Sequence, residues 1–138
     1  MYQDRRRFLR VMVPNTVANT RLVAKETKGS CEFEVWPVKD ISMTGIGIKS
    51  NQNITGGAEA FLNIDLEKVF KTIGVVAKVM WCVKNQSGYE LGLHFEHWDK
   101  DFDDRKAVSD YIRIRILEDR ITGKFGERKI KFLEYSGD

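Results

Sequence analysis

Four arginines lie close together near the start of the chain. They fall within six residues, and Asp4 is the only acid nearby: Arg5, Arg6, Arg7 and Arg10. A guanidinium is planar and always charged, and its fork of donors matches phosphate oxygens or the O6 and N7 atoms of guanine. It can also stack on a purine face. By itself the cluster also fits a solvated tail, or a basic arm that touches nucleic acid non-specifically.

A second polar group, Asp40-x-Ser42-x-x-Gly45, follows with 29 residues between Arg10 and Asp40. A carboxylate is the acceptor that guanine N1–H and N2–H₂ require, and a serine hydroxyl can donate or accept. Gly45 is free to take a positive φ, which would let the turn bend tightly and let backbone N–H groups approach a ligand. The plain alternative is an Asx-type turn stabilised by its own side chains.

The remaining candidate residues are weaker. Trp81 lies in a β-rich run, where a tryptophan usually belongs to the core or the barrel rim, although it could stack on a ligand base. His94 and His97 face opposite sides of a strand and make no metal pair. The acids from Asp99 onwards lack the glycine and glutamate of a calcium loop, and no P-loop, nucleophile elbow or triad occurs. We therefore expect no catalytic residues, no metal and no cofactor, and hence not an enzyme.

Length and composition predict one globular domain. The chain has 138 residues, 42% of them hydrophobic and 31% charged, with a net charge of +3. No stretch reaches the roughly 20 apolar residues of a membrane span. Residues 1–7 do not resemble a signal peptide, so we expect a cytoplasmic protein.

Residues 16–95 carry strand signals, namely short alternating segments separated by turns. Pro37 should mark an edge or a bulge, and Asn85–Gly88 reads as a hairpin loop. Six short strands joined in this way predict a closed antiparallel β-barrel, which leaves no open sheet edge. The predicted strands are Thr16–Ala24, Glu32–Ile41, Ile46–Ile48, Ala60–Leu66, Val69–Val83 and Tyr89–Phe95.

The pattern changes after Trp98. Apolar residues recur at helical spacing, and acids cluster where the helix dipole favours them, which predicts a helix over about Asp103–Asp119. We expect an arginine-rich ligand-binding arm at 1–10, a barrel at 11–98, a C-terminal helix at 99–122 and a tail of undefined structure at 123–138. The apolar stripe of the helix could cover the barrel or form a dimer interface.

The Arg-x-x-x-Arg of Arg6 and Arg10, followed at this spacing by Asp40-x-Ser42-x-x-Gly45, resembles the PilZ domain family. The likeness covers roughly Asp4 to Phe95, and both motifs are intact. It implies a six-stranded, split β-barrel, with the fold dominated by β-structure, that binds cyclic di-GMP without being an enzyme.

The resemblance also implies a ligand site. Arg6 and Arg10 take the role of the first motif, the turn motif contributes its three residues, and neighbouring arginines help as auxiliaries. With Trp81 added as a possible stacking partner, the expected cyclic di-GMP site is Arg5, Arg6, Arg7, Arg10, Asp40, Ser42, Gly45 and Trp81. Ordering of the arm on ligand binding would signal to a partner protein, in motility or biofilm regulation.

Two other functions stay open. Some PilZ-like domains act as adaptors through protein contacts alone, but such members usually lack the arginine motif. A small barrel with a basic arm could also bind nucleic acid, although these strands carry no dense stripe of exposed aromatics interleaved with Lys and Arg. A homodimer through the C-terminal helix is also possible, and either one ligand molecule or an intercalated pair could be bound.

Overall fold

A computed structural model describes residues 9–23 and 33–121 of the chain. Seven strands precede a single helix in these ranges. The strands are β1 (Val11–Met12), β2 (Val17–Val23), β3 (Glu34–Ile41), β4 (Gly45–Ser50), β5 (Glu59–Leu66), β6 (Lys71–Asn85) and β7 (Gly88–Trp98). The helix is α1 (Asp101–Ile121).

Six of the strands form a closed antiparallel barrel. Their order is β3-β2-β5-β6-β7-β4, and pairing of β3 with β4 closes the ring, which confirms the predicted fold. β1 is not part of the six-stranded ring and pairs with the last two residues of β3. A two-residue strand is too short to show alternation, so the sequence pattern did not reveal it.

Alternate residues of each strand point inward and fill the barrel interior. Ala60, Leu62, Ile64 and Leu66 of β5 are all at most 1% exposed, as the alternation predicted. Leu91, Leu93 and Phe95 of β7 are also buried, whereas Tyr89, predicted to be inward with them, is only half-buried next to the hairpin loop.

The predicted start of the strand that became β6 is wrong. Val69 and Phe70, expected at the start of the fifth predicted strand (Val69–Val83), lie in the turn between β5 and β6. Phe70 takes a φ of 51° there and is 93% exposed. That left-handed backbone is incompatible with a strand and costs a bulky side chain energy, so hydrophobicity alone misled the prediction.

α1 covers the barrel with one face. Ala107, Val108, Tyr111 and Ile112 are buried against it, while Leu117 and Ile121 remain 50% and 76% exposed. Part of the apolar stripe therefore covers the barrel. No helix within residues 9–23 and 33–121 is both long and apolar enough to cross a membrane.

Asp104 fastens the start of α1 to the barrel. It is 1% exposed, and its Oδ2 accepts hydrogen bonds from the amides of Gly74 in β6 (3.2 Å) and Lys100 (3.1 Å). The Lys71 ammonium lies 3.7 Å from the other carboxylate oxygen. The acids of the first turn therefore do more than complement the helix dipole, since one of them joins two elements.

Replacing Asp104 with Ala should leave both amides without their acceptor. Each such loss costs about 1–3 kcal/mol, and urea denaturation should show a fall in the free energy of unfolding of that order. Asp103→Ala is the matched control, because Asp103 is exposed in the same turn and its dipole contribution is about 1 kcal/mol or less. Equal losses in the two variants would contradict the anchoring role of Asp104.

Candidate ligand site on the outer face of the barrel

The turn between β3 and β4 is built around Ser42. The Ser42 amide donates to the Gly45 carbonyl (2.9 Å). The Ser42 hydroxyl oxygen accepts hydrogen bonds from the amides of Thr44 (3.3 Å) and Gly45 (3.2 Å), and the residue is 2% exposed. Ser42 therefore shapes the turn, which is the plain reading of this motif, and a direct contact of Ser42 with a ligand stays a prediction.

Gly45 has a different reason to be glycine from the one predicted. It does not have a positive φ; among the described glycines only Gly57 and Gly88 do. A Cβ on Gly45 would instead lie 2.5 Å from the Leu93 carbonyl oxygen of β7. The requirement is a close approach of two backbones rather than a left-handed turn.

Arg10 and Asp40 meet although 29 residues separate them. Arg10 Nη1 donates to Asp40 Oδ1 at 2.6 Å, with the Arg10 side chain 52% and the Asp40 side chain 16% exposed. The contact follows from β1, because Met12 pairs directly with Asp40 and carries the preceding residues past it. The structure thus joins the last arginine of the arm to the first residue of the turn motif.

Two β-bulges turn site residues to the outside. The register of β3 against β4 shifts between Val38 and Asp40, and that of β6 against β7 shifts between Val79 and Trp81. Val38 and Val79 are buried, so strict alternation would have pointed Asp40 and Trp81 inward too. The extra residue in each strand, Lys39 or Met80, reverses the phase.

Asp40 and Trp81 lie at the two ends of one row of paired residues. Asp40 pairs with Gly47, Gly47 pairs with Gly92, and Gly92 pairs with Trp81. Directly paired residues point to the same face of a sheet. The row therefore crosses the outer face of β3, β4, β7 and β6, with glycine at both central positions.

The two glycines let the end residues lean towards each other. A Cβ on Gly47 would lie 2.5 Å from Asp40 Oδ1, and one on Gly92 would lie 2.2 Å from Trp81 Cε2. The Asp40 carboxylate thus covers Gly47 and the Trp81 indole covers Gly92. Adjacent strands are about 4.8 Å apart, so carboxylate and indole are near neighbours, and Trp81 remains 49% exposed.

Of the eight predicted site residues, the structure brings together Arg10, Asp40 and Trp81, with Ser42 and Gly45 in the adjoining turn. Arg5, Arg6 and Arg7 lie outside the described residues. Gly47 and Gly92 were missed. Their signal was present, because each is a lone glycine inside an alternating strand, which often marks a close approach.

His94 borders the site on the turn side. It pairs with Gly45 on one side and Lys78 on the other, and its Nδ1 lies 3.3 Å from Glu96 Oε2. The outer face on this flank of the row therefore carries Lys78 and His94, with the Glu96 carboxylate beside the imidazole. Within the described ranges, no cluster of three or more potential metal ligands occurs.

Comparison with known proteins gives the family. The family model described as "PilZ domain" matches residues 4–113. The chain belongs to the PilZ domain family. The predicted family is thus confirmed, and Arg10, Asp40, Ser42 and Gly45 fall within the matched PilZ region. No curated protein sequence matches the chain.

Solved PilZ structures share the fold. The PilZ domain of YcgR from Escherichia coli, determined with c-di-GMP, has a TM-score of 0.64 at 12% identity, covering 87% of this chain and 98% of that one. The longer YcgR structure with c-di-GMP gives 0.68 at 13%, covering 87% and 50%. The Bacillus subtilis inhibitor of motility (MotI/DgrA) gives 0.63 at 18%, covering 83% and 52%. This PilZ chain therefore spans about half the length of the two longer proteins.

The packing of the Trp81 indole over Gly92 can be tested without a ligand. Gly92→Ala should push the indole off β7, because the new Cβ would overlap the ring. We expect the Trp81 indole N–H signal to shift in a ¹H–¹⁵N spectrum while those of Trp36 and Trp98 stay in place. Gly56→Ala is the control, since its Cβ would have only one neighbour, at 3.8 Å. An unmoved Trp81 signal in Gly92→Ala would contradict this packing.

Proposed function

We propose that this chain is a cyclic di-GMP receptor, not an enzyme, whose site is the row from Arg10 and Asp40 to Trp81 together with Arg5, Arg6, Arg7, Ser42 and Gly45. The observation that carries the proposal is the 2.6 Å contact between Arg10 and Asp40 on a face that ends in an exposed indole. Related PilZ structures have been solved with c-di-GMP, which supports the same ligand here.

The chemistry of the row suits the two guanines and two phosphates of this ligand. Asp40 uses one carboxylate oxygen on Arg10, and a carboxylate accepts from more than one donor, so guanine N1–H and N2–H₂ have an acceptor. The Arg10 guanidinium is half-exposed and can reach phosphate or guanine acceptors in pairs. The Trp81 indole offers a flat apolar surface on which a base can stack.

Arg6 would supply the second arginine of the motif, and Arg5 and Arg7 further positive charge. Charge-assisted hydrogen bonds to the phosphates would offset the conformational entropy lost when the arm becomes ordered. We propose that this ordering signals to a downstream protein in the cytoplasm, in regulation of motility or biofilm formation. MotI, named an inhibitor of motility, supports that direction.

Calorimetric titration tests the ligand. We expect wild-type protein to bind cyclic di-GMP at micromolar concentration or tighter, and Arg10→Ala and Asp40→Ala each to weaken binding by about 1–3 kcal/mol, because each removes a paired contact. Arg113→Ala on α1 is the matched control, since its side chain is 71% exposed and pairs with Asp110 within the helix; its affinity should equal that of wild type. Absence of heat and saturation in wild type would favour a ligand-independent adaptor.

A homodimer through α1 is a second, separate proposal, supported by the exposed apolar pair Leu117 and Ile121. Light scattering should give twice the chain mass for wild type and the single mass for a Leu117→Ser, Ile121→Ser variant. Phe102→Ser, which changes an equally exposed residue at the other end of α1, should leave the mass at its wild-type value. A monomeric wild type, with and without cyclic di-GMP, would exclude this interface.

A further inference from the structure

Arg115 of α1 is a buried arginine outside the candidate site. It is 6% exposed, and buried charges are kept only where partners compensate for lost hydration. Its Nη1 lies 3.2 Å from Glu118 Oε1, and its Nη2 lies 3.5 Å from Asp119 Oδ1. Two carboxylates one helical turn away thus balance the charge.

The third donor of Arg115 reaches across to the barrel. Its Nε donates to the Met12 carbonyl oxygen at 3.1 Å, a contact between residues 103 apart in sequence. Met12 is the residue of β1 that pairs with Asp40, and it stands two residues after Arg10. The bond therefore ends on the backbone segment from which Arg10 extends.

The Arg115 contact adds to the sheet pairing of β1 and to the burial of Val11 and Val13 in the core, and it is the contact made at the Met12 carbonyl. The strand is two residues long, and the next amide, Val13, donates to the Lys39 carbonyl at 3.0 Å. Strand pairs this short are marginal alone. The helix thus adds a charged hydrogen bond, which is stronger than a neutral one, at the place where β1 leaves the sheet.

Arg115 is itself held in place. Glu118 also pairs with Lys68 at 3.1 Å, which connects α1 to the turn between β5 and β6. The hydrogen bond from Lys68, and after it the one from Arg115, lowers the pKa of Glu118, so the carboxylate stays ionised to lower pH than an ordinary glutamate. A guanidinium with fixed ion pairs has little freedom to release Met12.

We propose that Arg115 is a positioning residue for the cyclic di-GMP site: by holding the Met12 carbonyl it fixes β1 and so places Arg10 against Asp40. This inference rests on the proposed function, because it concerns the affinity of that site. It also gives Arg115, which touches none of the predicted site residues, a role in binding through the backbone of β1.

The test is a double-mutant cycle on cyclic di-GMP affinity. Arg115→Met, which keeps an apolar stem but no donor, should weaken binding about tenfold, as expected for one lost charged hydrogen bond. In an Arg10→Ala background the same change should have less than about a twofold effect, because its target is already gone. A merely structural role of Arg115 would weaken binding equally in both backgrounds, and that result would overturn the proposal.

The controls separate folding from positioning. Arg113→Met on the exposed side of α1 should leave affinity unchanged. Arg115→Lys keeps a charge for Glu118 and Asp119 but cannot serve all three partners, so it should remain folded and show intermediate affinity; it carries the test if Arg115→Met does not fold. Wild-type affinity in folded Arg115→Met or Arg115→Lys would overturn the role of Arg115 alone.

Hydrogen exchange supplies a readout without ligand. The Val13 amide should exchange faster in Arg115→Met than in wild type or Arg113→Met, because β1 loses its second attachment. An unchanged exchange rate of the Val13 amide would contradict the proposal that Arg115 fixes β1, whatever the affinity for cyclic di-GMP. Wild type that fails to bind cyclic di-GMP, with faster Val13 exchange in the variant, would overturn the proposed function and show that the Arg115 contact serves the fold only.

Discussion

The two-residue period of a β-strand is the constraint on which this site depends. A barrel this small needs every second residue for its core. Buried Val38 and Ile41 in β3, and Val79 in β6, therefore fix which of their neighbours face outward. Bulges at Lys39 and Met80 remove that constraint locally. They keep the interior filled on both sides of the bulge while bringing Asp40 and Trp81 to the same outer row.

Gly47 and Gly92 then allow the two side chains that the bulges turn outward to approach each other. A side chain at Gly47 would displace the Asp40 carboxylate, and one at Gly92 would displace the Trp81 indole. Because both residues are glycine, each of these groups packs over the neighbouring strand. Four residues separated by up to 52 positions along the chain, from Asp40 to Gly92, thus form one shallow surface with an acceptor at one end and an aromatic ring at the other. Gly45 contributes similarly by letting β4 approach β7.

The sequence predicted the barrel, the helix and the pairing of arginine arm with turn motif, because alternation, helical spacing and the two motifs are all local or regular signals. It could not place Trp81 beside Asp40, since a bulge leaves no mark that distinguishes Met80 from any other exposed residue. Gly45 was assigned the wrong physical reason because a close contact with Leu93 depends on a partner strand far along the chain. Arg115 gave no signal, as its spacing fits an ordinary helical surface.

The Arg10–Asp40 ion pair is better suited to exchange than to stability. Ion pairs with a solvent-exposed partner, here Arg10 at 52% exposure against Asp40 at 16%, contribute about 0–1 kcal/mol, little against the roughly 5–15 kcal/mol that stabilises a whole domain. A ligand can therefore recruit either partner at small cost, whereas the buried Arg115 network would be expensive to disturb. The weak contact lies on the surface proposed to bind the ligand, and the strong one lies between α1 and β1. Under the proposed function, this arrangement would let the arm respond to a ligand while the strand that carries it keeps its register.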